Sequence, residues 1–254
     1  MLILLPPSEG KTPASAGPAV DLASLSFPAL EAARREVVAA LAEVSAREDA
    51  LEALGVGASL AHDVERNRRL DEEPAAPAHS VYSGVLYEAL GYRTLTPAQR
   101  RRAEECVVVV SALWGAVGFA DQVPAYRLSM STALPGLGRL ASFWKPRLAE
   151  ALAERTAVGL VVDCRSSTYA AAYAPPAATT VAVDVFRERD GRRSVVSHFA
   201  KHHRGELVRH LLTRRGKAPS TPEALLAVAR ERWEAELVAG TARRAHSLAL
   251  ILRD

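Results

Sequence analysis

Residues 2–12 read LILLPPSEGKT, an apolar run that gives way to a proline-rich loop ending near a single lysine, Lys11. Four consecutive apolar residues bounded by prolines predict a short buried strand. Active-site residues often follow a core strand, because the strand fixes the loop and leaves its side chains accessible. Only four of the 32 lysine and arginine residues in the chain are lysines. A lysine at this position therefore indicates a role that arginine would not fill.

The GKT at residues 10–12 resembles the end of a phosphate-binding P-loop, whose pattern is G-x-x-x-x-G-K-[ST] after a strand. The first glycine of that pattern is Leu5 here, and the two prolines that follow lack the N–H groups that surround phosphate. These residues argue against a nucleotide triphosphatase. Three interpretations of Lys11 stay open: a ligand for a single anion, a chemical base, and a solvated loop lysine.

The composition is that of an ordinary soluble globular protein, with 254 residues, 49% hydrophobic and 24% charged, and a net charge of +3. No apolar stretch approaches the roughly 20 residues of a membrane span. No basic region precedes the first apolar run, as it would in a secretory signal. Cys106 and Cys164 lie far apart and form no C-x-x-C pair. We therefore expect a cytoplasmic protein with reduced thiols and no membrane partner.

Alternating strand and helix signals predict the fold class. The β-branched run at residues 106–110 predicts a central strand buried on both faces, and residues 160–163 predict another. Residues 181–187 and 194–198 flank Asp190-Gly191, which predicts an antiparallel hairpin. We expect an α/β fold with a mixed central sheet and helices on both faces, in a single domain over residues 1–254. Helices are predicted at residues 30–44, 48–54, 58–70, 80–90, after a capping box at 96–99, and at 201–213 and 222–239, with a closing strand at 249–252.

A glycine-containing turn joins two predicted helices within about residues 46–70. Leu54-Gly55-Val56-Gly57 fits the apolar-Gly-apolar-Gly turn of the helix-hairpin-helix DNA-binding motif, whose backbone N–H groups contact phosphate. Ser59 adds a hydroxyl donor, and arginines 66, 68 and 69 follow on the second helix. A simple helical hairpin with a glycine C-cap gives the same pattern, so both interpretations stay open.

Polar and aromatic residues follow the predicted central strand. Ser111 lies at the strand exit, although the G-x-S-x-G of a nucleophile elbow is absent. Tyr126 and Arg127 follow in a proline-containing turn, and aromatic residues at 143–144 precede a lysine. Such a mixture can stack a base or hold a phosphate. The alternative is a set of core rings with basic side chains reaching the solvent.

Asp163 and Arg165 end the second predicted central strand. Asp163 would pair with Lys11 if the two strands are neighbours, and a lysine beside a carboxylate stays charged, which suits anion binding. A buried lysine without such a partner would lose its proton and become nucleophilic. Serines and a threonine at residues 166–168 fit a helix cap as well as a site.

Histidines cluster at residues 198, 202 and 203, close to Glu206. On a helix, His198, His202 and Glu206 would share one face, but the H-E-x-x-H zinc motif is absent and such faces are usually solvated. We therefore predict no metal site and no cofactor. Lys201 and Arg204 fit better with an anion-binding helix start.

Six motifs occur in order along the chain: PPSEGKT at residues 6–12, VYSG at 81–84, SALWG at 111–115, PAYRLSM at 124–130, FW at 143–144 and FAKxxRG at 199–205. This set resembles the YaaA family of bacterial peroxide stress proteins, from the first residues to about residue 215. The resemblance implies a cytoplasmic protein with one α/β domain, a helix-hairpin-helix element and a positively charged cleft. It also implies a link to limiting free iron and oxidative DNA damage, and binding of duplex or branched DNA.

The resemblance further implies that scattered residues converge in that cleft: Lys11, Tyr82, Ser111, Tyr126, Arg127, Asp163, Lys201 and Arg204. Two features depart from the family pattern. The histidines at 202 and 203 are not part of it. The predominance of arginine indicates a GC-rich genome, in which family members can be recruited to biosynthetic chemistry.

Two functional hypotheses follow. The first is a DNA-binding stress protein, in which the glycine turn contacts phosphates and the basic residues form the cleft. The second is an enzyme acting on a small anionic or nucleotide-like molecule. In it Lys11 is base, nucleophile or charge stabiliser, Asp163 orients Lys11, and Tyr126 or Ser111 positions the substrate. A third hypothesis combines the two: the protein binds abasic DNA, and Lys11 forms a Schiff base with it.

Overall fold

The computed structural model describes residues 1–189, 192–195 and 197–253. The strands, in chain order, are β1 Leu2–Leu5, β2 Ala76–Pro77, β3 Val107–Ser111, β4 Gly115–Gly118, β5 Gln122–Val123, β6 Ala133–Leu134, β7 Gly138–Arg139, β8 Val161–Asp163, β9 Thr180–Arg189, β10 Arg192–Val195, β11 Glu234–Val238 and β12 His246–Arg253.

The α-helices, in chain order, are α1 Glu31–Ser45, α2 Ala50–Ala53, α3 Ala61–Arg66, α4 Ala78–Val81, α5 Val85–Leu90, α6 Pro97–Cys106, α7 Leu140–Ala151, α8 Ala153–Ala157, α9 Ser167–Ala170, α10 Ser197–Thr213 and α11 Pro222–Ala229. Short 3₁₀ turns lie at Pro28–Leu30, Ala58–Leu60, Asn67–Arg69, Tyr92–Thr94 and Ala177–Thr179.

The central sheet is mixed, and the α/β fold predicted from the sequence is confirmed. Its strand order is β11-β12-β9-β8-β1-β3-β4, with β10 paired to β9. The pairs β12/β9, β9/β8, β8/β1 and β1/β3 are parallel, whereas β11/β12, β10/β9 and β3/β4 are antiparallel. Every residue of β1, β3 and β8 is buried, as expected of central strands covered on both faces.

The parallel pairing of β8, β1 and β3 determines where the loops lie. Leu4 pairs with Asp163 on one side of β1, and Leu5 pairs with Val109 on the other. Because parallel strands end at the same edge of a sheet, the segments after β1, β3 and β8 meet there. Residues that are far apart in sequence are therefore brought to one edge.

The segment predicted as one helix over residues 80–90 forms two helices. α4 ends at Val81 and α5 begins at Val85, so Ser80 lies inside α4 and does not cap the longer helix. Tyr82 lies in the gap and forms an isolated antiparallel bridge with Lys11. The backbone N–H of Thr12 donates to the Val81 carbonyl at 2.9 Å. This pairing attaches the loop after β1 to the break between the helices.

Two other predictions require correction. The predicted helix over residues 222–239 ends at Ala229, and its last part is the strand β11. The predicted strand over 194–198 ends by Val195, because α10 begins at Ser197. β9 and β10 pair antiparallel as predicted, while Asp190 and Gly191 lie outside the described residues. The capping box of α6 is present, with Thr96 and Gln99 bonded to each other's backbone N–H.

Arg34, on α1, holds the turn between β3 and β4. Its side chain is fully buried. Nε donates to the Trp114 carbonyl at 3.1 Å, and Nη2 donates to the carbonyls of Ser26 at 2.6 Å and Ala116 at 2.8 Å. Burial lowers the pKa of the Arg34 guanidinium to about 10, which leaves it protonated at neutral pH. Three carbonyl acceptors offset part of the cost of burying this charge.

A search of the described residues for a helix both long and apolar enough to cross a bilayer finds none.

Candidate active site

Lys11 lies at the edge where β1, β3 and β8 end. Its half-buried side chain turns back on its own loop, and Nζ donates to the Ser8 carbonyl at 2.9 Å and lies 3.5 Å from the Glu9 carbonyl. Nζ is 4.0 Å from the centre of the Tyr126 ring and 5.8 Å from that of Tyr82. The amine is therefore enclosed between two backbone carbonyls and two aromatic rings.

The Lys11 amine titrates close to neutrality. Burial lowers the pKa of Lys11 from 10.5 to about 7, and the positive charge of Arg127 acts in the same direction. The negative charges of Glu9 and Asp63 raise the pKa, but they do not outweigh burial. A substantial fraction of the molecules therefore carries a neutral amine at pH 7, the form that is nucleophilic.

Three hydroxyl groups form a chain beside Lys11. Ser111 Oγ lies 2.7 Å from Tyr126 Oη, which lies 3.3 Å from Tyr82 Oη. The Trp114 indole packs edge-to-face on the Tyr126 ring, with the ring centres 6.0 Å apart. Burial raises the pKa of Tyr82 to about 12 and that of Tyr126 well above 10. Both phenols are therefore neutral at physiological pH and serve as hydrogen-bond donors or acceptors.

Two further buried tyrosines surround the same space. The Tyr87 hydroxyl donates to the Pro6 carbonyl at 2.7 Å, which fixes the start of the loop after β1. Tyr169, on α9, is buried close enough to Glu9 and Arg127 for their charges to act on it, and burial raises its pKa. The sequence analysis did not select Tyr87 or Tyr169. A single tyrosine on a helix looks the same in sequence whether its side chain belongs to a functional site or to the hydrophobic core.

Arg127 is positioned by contacts at both its side chain and its backbone. Its guanidinium donates to the Glu9 carbonyl at 3.0 Å and pairs with the Glu9 carboxylate at 3.1 Å. The buried Asn67 amide donates to the Arg127 carbonyl at 2.9 Å and accepts from the Arg127 N–H at 2.8 Å. Asn67 follows α3, so it attaches the glycine-turn region to the site. The sequence analysis missed Asn67 and Glu9; an asparagine among arginines is a weak signal.

The glycine turn is present between α2 and the helical segment that includes α3. Gly55 has φ +65°, which favours glycine, and Gly57 is extended immediately before the Ala58–Leu60 turn. Gly55, Gly57 and Ser59 are exposed, and Val56 is half-buried. The helices are shorter than predicted, with only four residues in α2. A cavity of about 390 Å³ separates Gly55 and Val56 from the segment around Arg127.

Arginines of this element are paired with neighbouring carboxylates. Arg66 contacts Asp63 at 2.7 Å and Glu73 at 3.5 Å. Arg68 contacts Glu65 at 2.8 Å. Their charges are therefore partly offset within the element.

Asp163 pairs with Arg165 and not with Lys11, although β1 and β8 are neighbours as the prediction required. Arg165 Nε and Nη2 lie 2.8 and 2.7 Å from the two oxygens of Asp163. The same buried guanidinium donates to the carbonyls of Tyr169 and Tyr173 at 3.3 and 2.8 Å. Arg165 is therefore occupied inside the protein, and its predicted role in anion binding would require these bonds to break.

Lys201 and Arg204 lie on α10, and Arg204 is near enough to Cys164, the residue after β8, for its charge to act on that thiol. Lys201 is exposed, whereas Arg204 donates from Nε to the Val183 carbonyl at 2.9 Å and lies 3.8 Å from Asp184. In the described part of the chain, no hydrogen bond or ion pair joins either residue to the Lys11 cluster. His202 and His203 both contact Glu206. The described residues contain no group of three or more His, Cys, Asp and Glu placed to hold a metal ion.

A second cavity, of about 370 Å³, lies between the loop after β1 and helices α4 and α5. Four of the ten residues that line it carry aromatic rings, and the rings of His79 and Tyr92 stack with centres 3.8 Å apart. Tyr82 belongs both to this cavity and to the chain of hydroxyls beside Lys11. The residues that line it are Thr12, His79, Ser80, Tyr82, Ser83, Tyr87, Glu88, Gly91, Tyr92 and Arg93.

Comparison with known proteins finds relatives that match most of the chain. A family model described as peroxide stress protein YaaA matches residues 1–236. A UPF0246 protein of Streptomyces coelicolor is 44% identical over 236 residues, which cover 91% of this chain and 90% of that protein. A UPF0246 protein of Corynebacterium efficiens is 43% identical over 225 residues, 88% of this chain and 89% of that protein. One of Corynebacterium glutamicum is 42% identical over 215 residues, 83% and 84% of the two chains.

Proposed function

The chain belongs to the family of peroxide stress protein YaaA, and we propose that it is an enzyme whose Lys11 amine acts as nucleophile or base on a small anionic or nucleotide-like substrate. The observation that carries this proposal is the environment of Lys11. A lysine with a pKa of about 7 is enclosed by aromatic rings and lies beside buried hydroxyl groups. Lysines are tuned towards neutrality in this way where they act in catalysis.

Among the described residues, the contacts of Lys11 leave the lone pair of its neutral amine without a hydrogen-bond donor. A neutral amine has two N–H groups and one lone pair, and the Ser8 and Glu9 carbonyls accept the two N–H groups. The lone pair is then directed away from the loop. Arg127, held by Asn67, supplies a positive charge near the amine for an anionic group of the substrate. Its ion pair with Glu9 is partly exposed, so exchange of the carboxylate for a substrate anion costs little.

Complementation of a peroxide-sensitive strain tests whether this amine carries the family's stress function. We expect wild-type protein and the exposed-lysine control Lys217→Arg to restore survival in hydrogen peroxide. Lys11→Arg keeps a positive charge but does not supply a neutral amine, so we expect it to restore little or no survival. Full complementation by a folded Lys11→Arg variant would refute the proposal.

DNA binding through the glycine turn is a second candidate, supported by the exposure of Gly55 and Gly57 at a turn that precedes a helical segment. Backbone N–H groups at such a position can contact phosphate. Duplex or branched DNA would then be the partner, and protection from oxidative, iron-linked damage would follow from occupancy of the DNA. The carboxylates that pair with Arg66 and Arg68 weaken this candidate.

Binding of the purified protein to duplex and four-way-junction DNA across a salt series tests this second candidate. Each phosphate neutralised contributes a slope of about −0.9 in log affinity against log salt, so a DNA-binding protein must show a steep loss. Gly57→Leu, at a position with φ −81° and open space for a side chain, should weaken binding to all sequences alike. Lys217→Leu serves as a control for the loss of one exposed charge. Absent or salt-independent binding would exclude this function without affecting the role of Lys11.

A further inference from the structure

The donors and acceptors in the hydroxyl chain can be assigned from the contacts of Ser111. Its Oγ accepts the backbone N–H groups of Leu113 at 3.2 Å and Trp114 at 3.1 Å. A serine oxygen has two lone pairs, and these two bonds use both. The contact at 2.7 Å with Tyr126 Oη must therefore be one in which Ser111 donates its proton.

The same reasoning gives the direction of the next bond. Tyr126 Oη accepts from Ser111, so its own proton is directed to Tyr82 Oη at 3.3 Å. The proton of Tyr82 has no acceptor among the described residues. The pKa of Tyr82 agrees with this direction, because the hydrogen bond with Tyr126 lowers it, although burial has the larger and opposite effect. The chain Ser111, Tyr126, Tyr82 thus ends in a hydroxyl that is free to donate.

Tyr82 is the one member of this chain that lines the aromatic cavity of about 370 Å³. Pockets for small ligands begin at about 300 Å³, so the cavity has room for a single ring system with its substituents. Three tyrosines and His79 supply ring faces and edges, and hydroxyls of Thr12, Ser80 and Ser83 supply polar contacts. Burial lowers the pKa of His79, which favours the neutral imidazole. Such walls favour a planar ring that carries polar groups.

We propose that this aromatic cavity holds the substrate of Lys11, a small carbonyl compound with a planar ring, and that Tyr82 is the residue that protonates the carbonyl oxygen. The inference rests on the proposed role of Lys11 as a nucleophile. Lys11 forms a backbone bridge with Tyr82 and its Nζ lies 5.8 Å from the centre of the Tyr82 ring, while the next residue, Thr12, lines the cavity beside Tyr82.

The reaction that these groups support is formation of a Schiff base. The Lys11 lone pair attacks the carbonyl carbon and forms a C–N bond, and the π electrons of the carbonyl move to oxygen, which takes the Tyr82 proton. The Tyr82 phenolate, stabilised by Tyr126, then removes a proton from the attached nitrogen. When Tyr82 returns that proton to the carbinol oxygen, the C–O bond breaks and water leaves, and the protonated imine that remains gives its nitrogen proton back to the Tyr82 phenolate. Carbonyl and amine thus become imine and water, with no oxidant or reductant.

Pyridoxal and propanal are suitable probes, because both are aldehydes and only pyridoxal has a planar ring. The full-length protein is incubated with each aldehyde, the imine is reduced with borohydride, and the modified lysine is identified by peptide mass spectrometry. We expect pyridoxal to label Lys11 faster than the other lysines, and faster than propanal does. Ser80→Leu, which fills the cavity, should slow labelling by pyridoxal and leave labelling by propanal unchanged.

The variant Tyr82→Phe tests the proton donor. We expect labelling of Lys11 by pyridoxal to slow at least about tenfold, since positioned general acids contribute ~10²–10⁴-fold. Arylation of Lys11 by trinitrobenzenesulfonate needs no acid at a carbonyl oxygen, so its rate and its pH midpoint near 7 should persist in this variant. Tyr173→Phe, which removes a buried tyrosine hydroxyl bonded to Thr156, is the matched control and should label at the wild-type rate.

Each outcome bears on a different part of the inference. Unchanged pyridoxal labelling in Tyr82→Phe would overturn the role of Tyr82. Equal labelling by pyridoxal and propanal would overturn the assignment of the cavity. If trinitrobenzenesulfonate arylates Lys11 with the pH midpoint of an ordinary lysine, the proposed function itself fails, independently of the cavity.

Discussion

At the scale of single residues, the environment of Lys11 explains why a lysine follows the first strand in a chain that otherwise favours arginine. Arginine keeps its proton in proteins, so it would place a permanent charge over the Tyr126 ring. Lysine can lose its proton when it is buried, and the pKa of Lys11 falls to about 7. The Tyr126 face attracts the ammonium form, but burial has the larger effect.

The first prediction concerns the reactivity of Lys11 as a function of pH. As the pH rises through about 7, Lys11 loses its proton and its arylation by trinitrobenzenesulfonate should reach half its maximum. Lys145, Lys201 and Lys217 are exposed and serve as the reference lysines in the same experiment. Peptide mass spectrometry measures all four rates in one sample.

Two variants test the cause of this shift because they act in opposite directions. Glu9 raises the pKa of Lys11, so Glu9→Gln should move the midpoint below that of the wild type. Arg127 lowers it, so Arg127→Gln should move the midpoint upward. Shifts of the same sign in both variants would contradict the electrostatic account.

Sequence reasoning at this scale identified Lys11, Ser111, Tyr126 and Arg127, which the structure joins with Tyr82 through contacts. It did not anticipate that Asp163 would pair with Arg165. Both interactions require a cation near the same carboxylate, and a guanidinium only two residues away makes two parallel bonds. Whether Asp163 pairs with Lys11 or with Arg165 depends on which side chain can reach the carboxylate with this geometry. The spacing of residues along the chain does not reveal that.

At the scale of elements, strong local signals were reliable and long helical patterns were less so. The apolar runs at β3 and β8 and the capping box of α6 form as predicted. Residues 230–238 had a pattern compatible with a helix, but the last five form β11. Antiparallel pairing with β12 and the ion pair between Arg193 and Glu236 come from other segments of the chain. Such tertiary contacts override propensity, which is worth only tenths of a kcal/mol per residue.

The second prediction concerns the crossing of α5 and α10 at Gly205. A Cβ at this position would lie 2.2 Å from the Leu86 carbonyl oxygen and 2.9 Å from Ala89 Cβ. Helix propensity alone would make Gly205→Ala stabilising by about 1 kcal/mol. We expect the opposite sign, a loss of about 1–3 kcal/mol in the free energy of unfolding, because the helices must move apart.

Urea denaturation measures this change, and Gly57→Ala is the control. A Cβ at Gly57 meets nothing within 4 Å, so that variant should stay close to the wild-type stability. If Gly205→Ala proved as stable as Gly57→Ala, the close approach of α5 and α10 would be wrong. Since α5 carries Tyr87, separation of the helices should also loosen the loop that holds Lys11.

At the scale of the whole molecule, the parallel arrangement of β8, β1 and β3 assembles the site from distant parts of the sequence. The family resemblance implied that Lys11 and Ser111 share one cleft; in the structure the Tyr126 ring centre lies 4.0 Å from Lys11 Nζ, and the Tyr126 hydroxyl lies 2.7 Å from Ser111 Oγ. The order of the central strands does not predict where Lys201 and Arg204 lie. Both residues are on α10, which follows β9 and β10, and the packing of α10 depends on its close contact with α5 at Gly205. The acidic groups Glu9 and Asp63 also act on Lys11, so the net charge of +3 does not describe the site.

The third prediction concerns the two thiols of a protein whose family is named for peroxide stress. Burial raises the pKa of Cys164 to about 12 and that of Cys106 to about 11. Peroxide oxidises the thiolate form, so neither cysteine is a good peroxide target in the folded protein. Cys106 is the last residue of α6, directly before β3, and Cys164 directly follows β8; β1 separates these two strands. The distance across two strand spacings is about 10 Å, beyond the ~7 Å limit for a disulfide.

We therefore expect hydrogen peroxide at neutral pH to leave both thiols reduced in the folded protein, and to oxidise them after unfolding in urea. Mass spectrometry after alkylation of the remaining thiols measures the two states, with a double Cys→Ser variant as the blank. Rapid formation of sulfenic acid at Cys164 in folded protein would contradict the burial of this residue. If both thiols stay reduced while Lys11 variants abolish peroxide survival, the stress function depends on the Lys11 site and not on a thiol sensor.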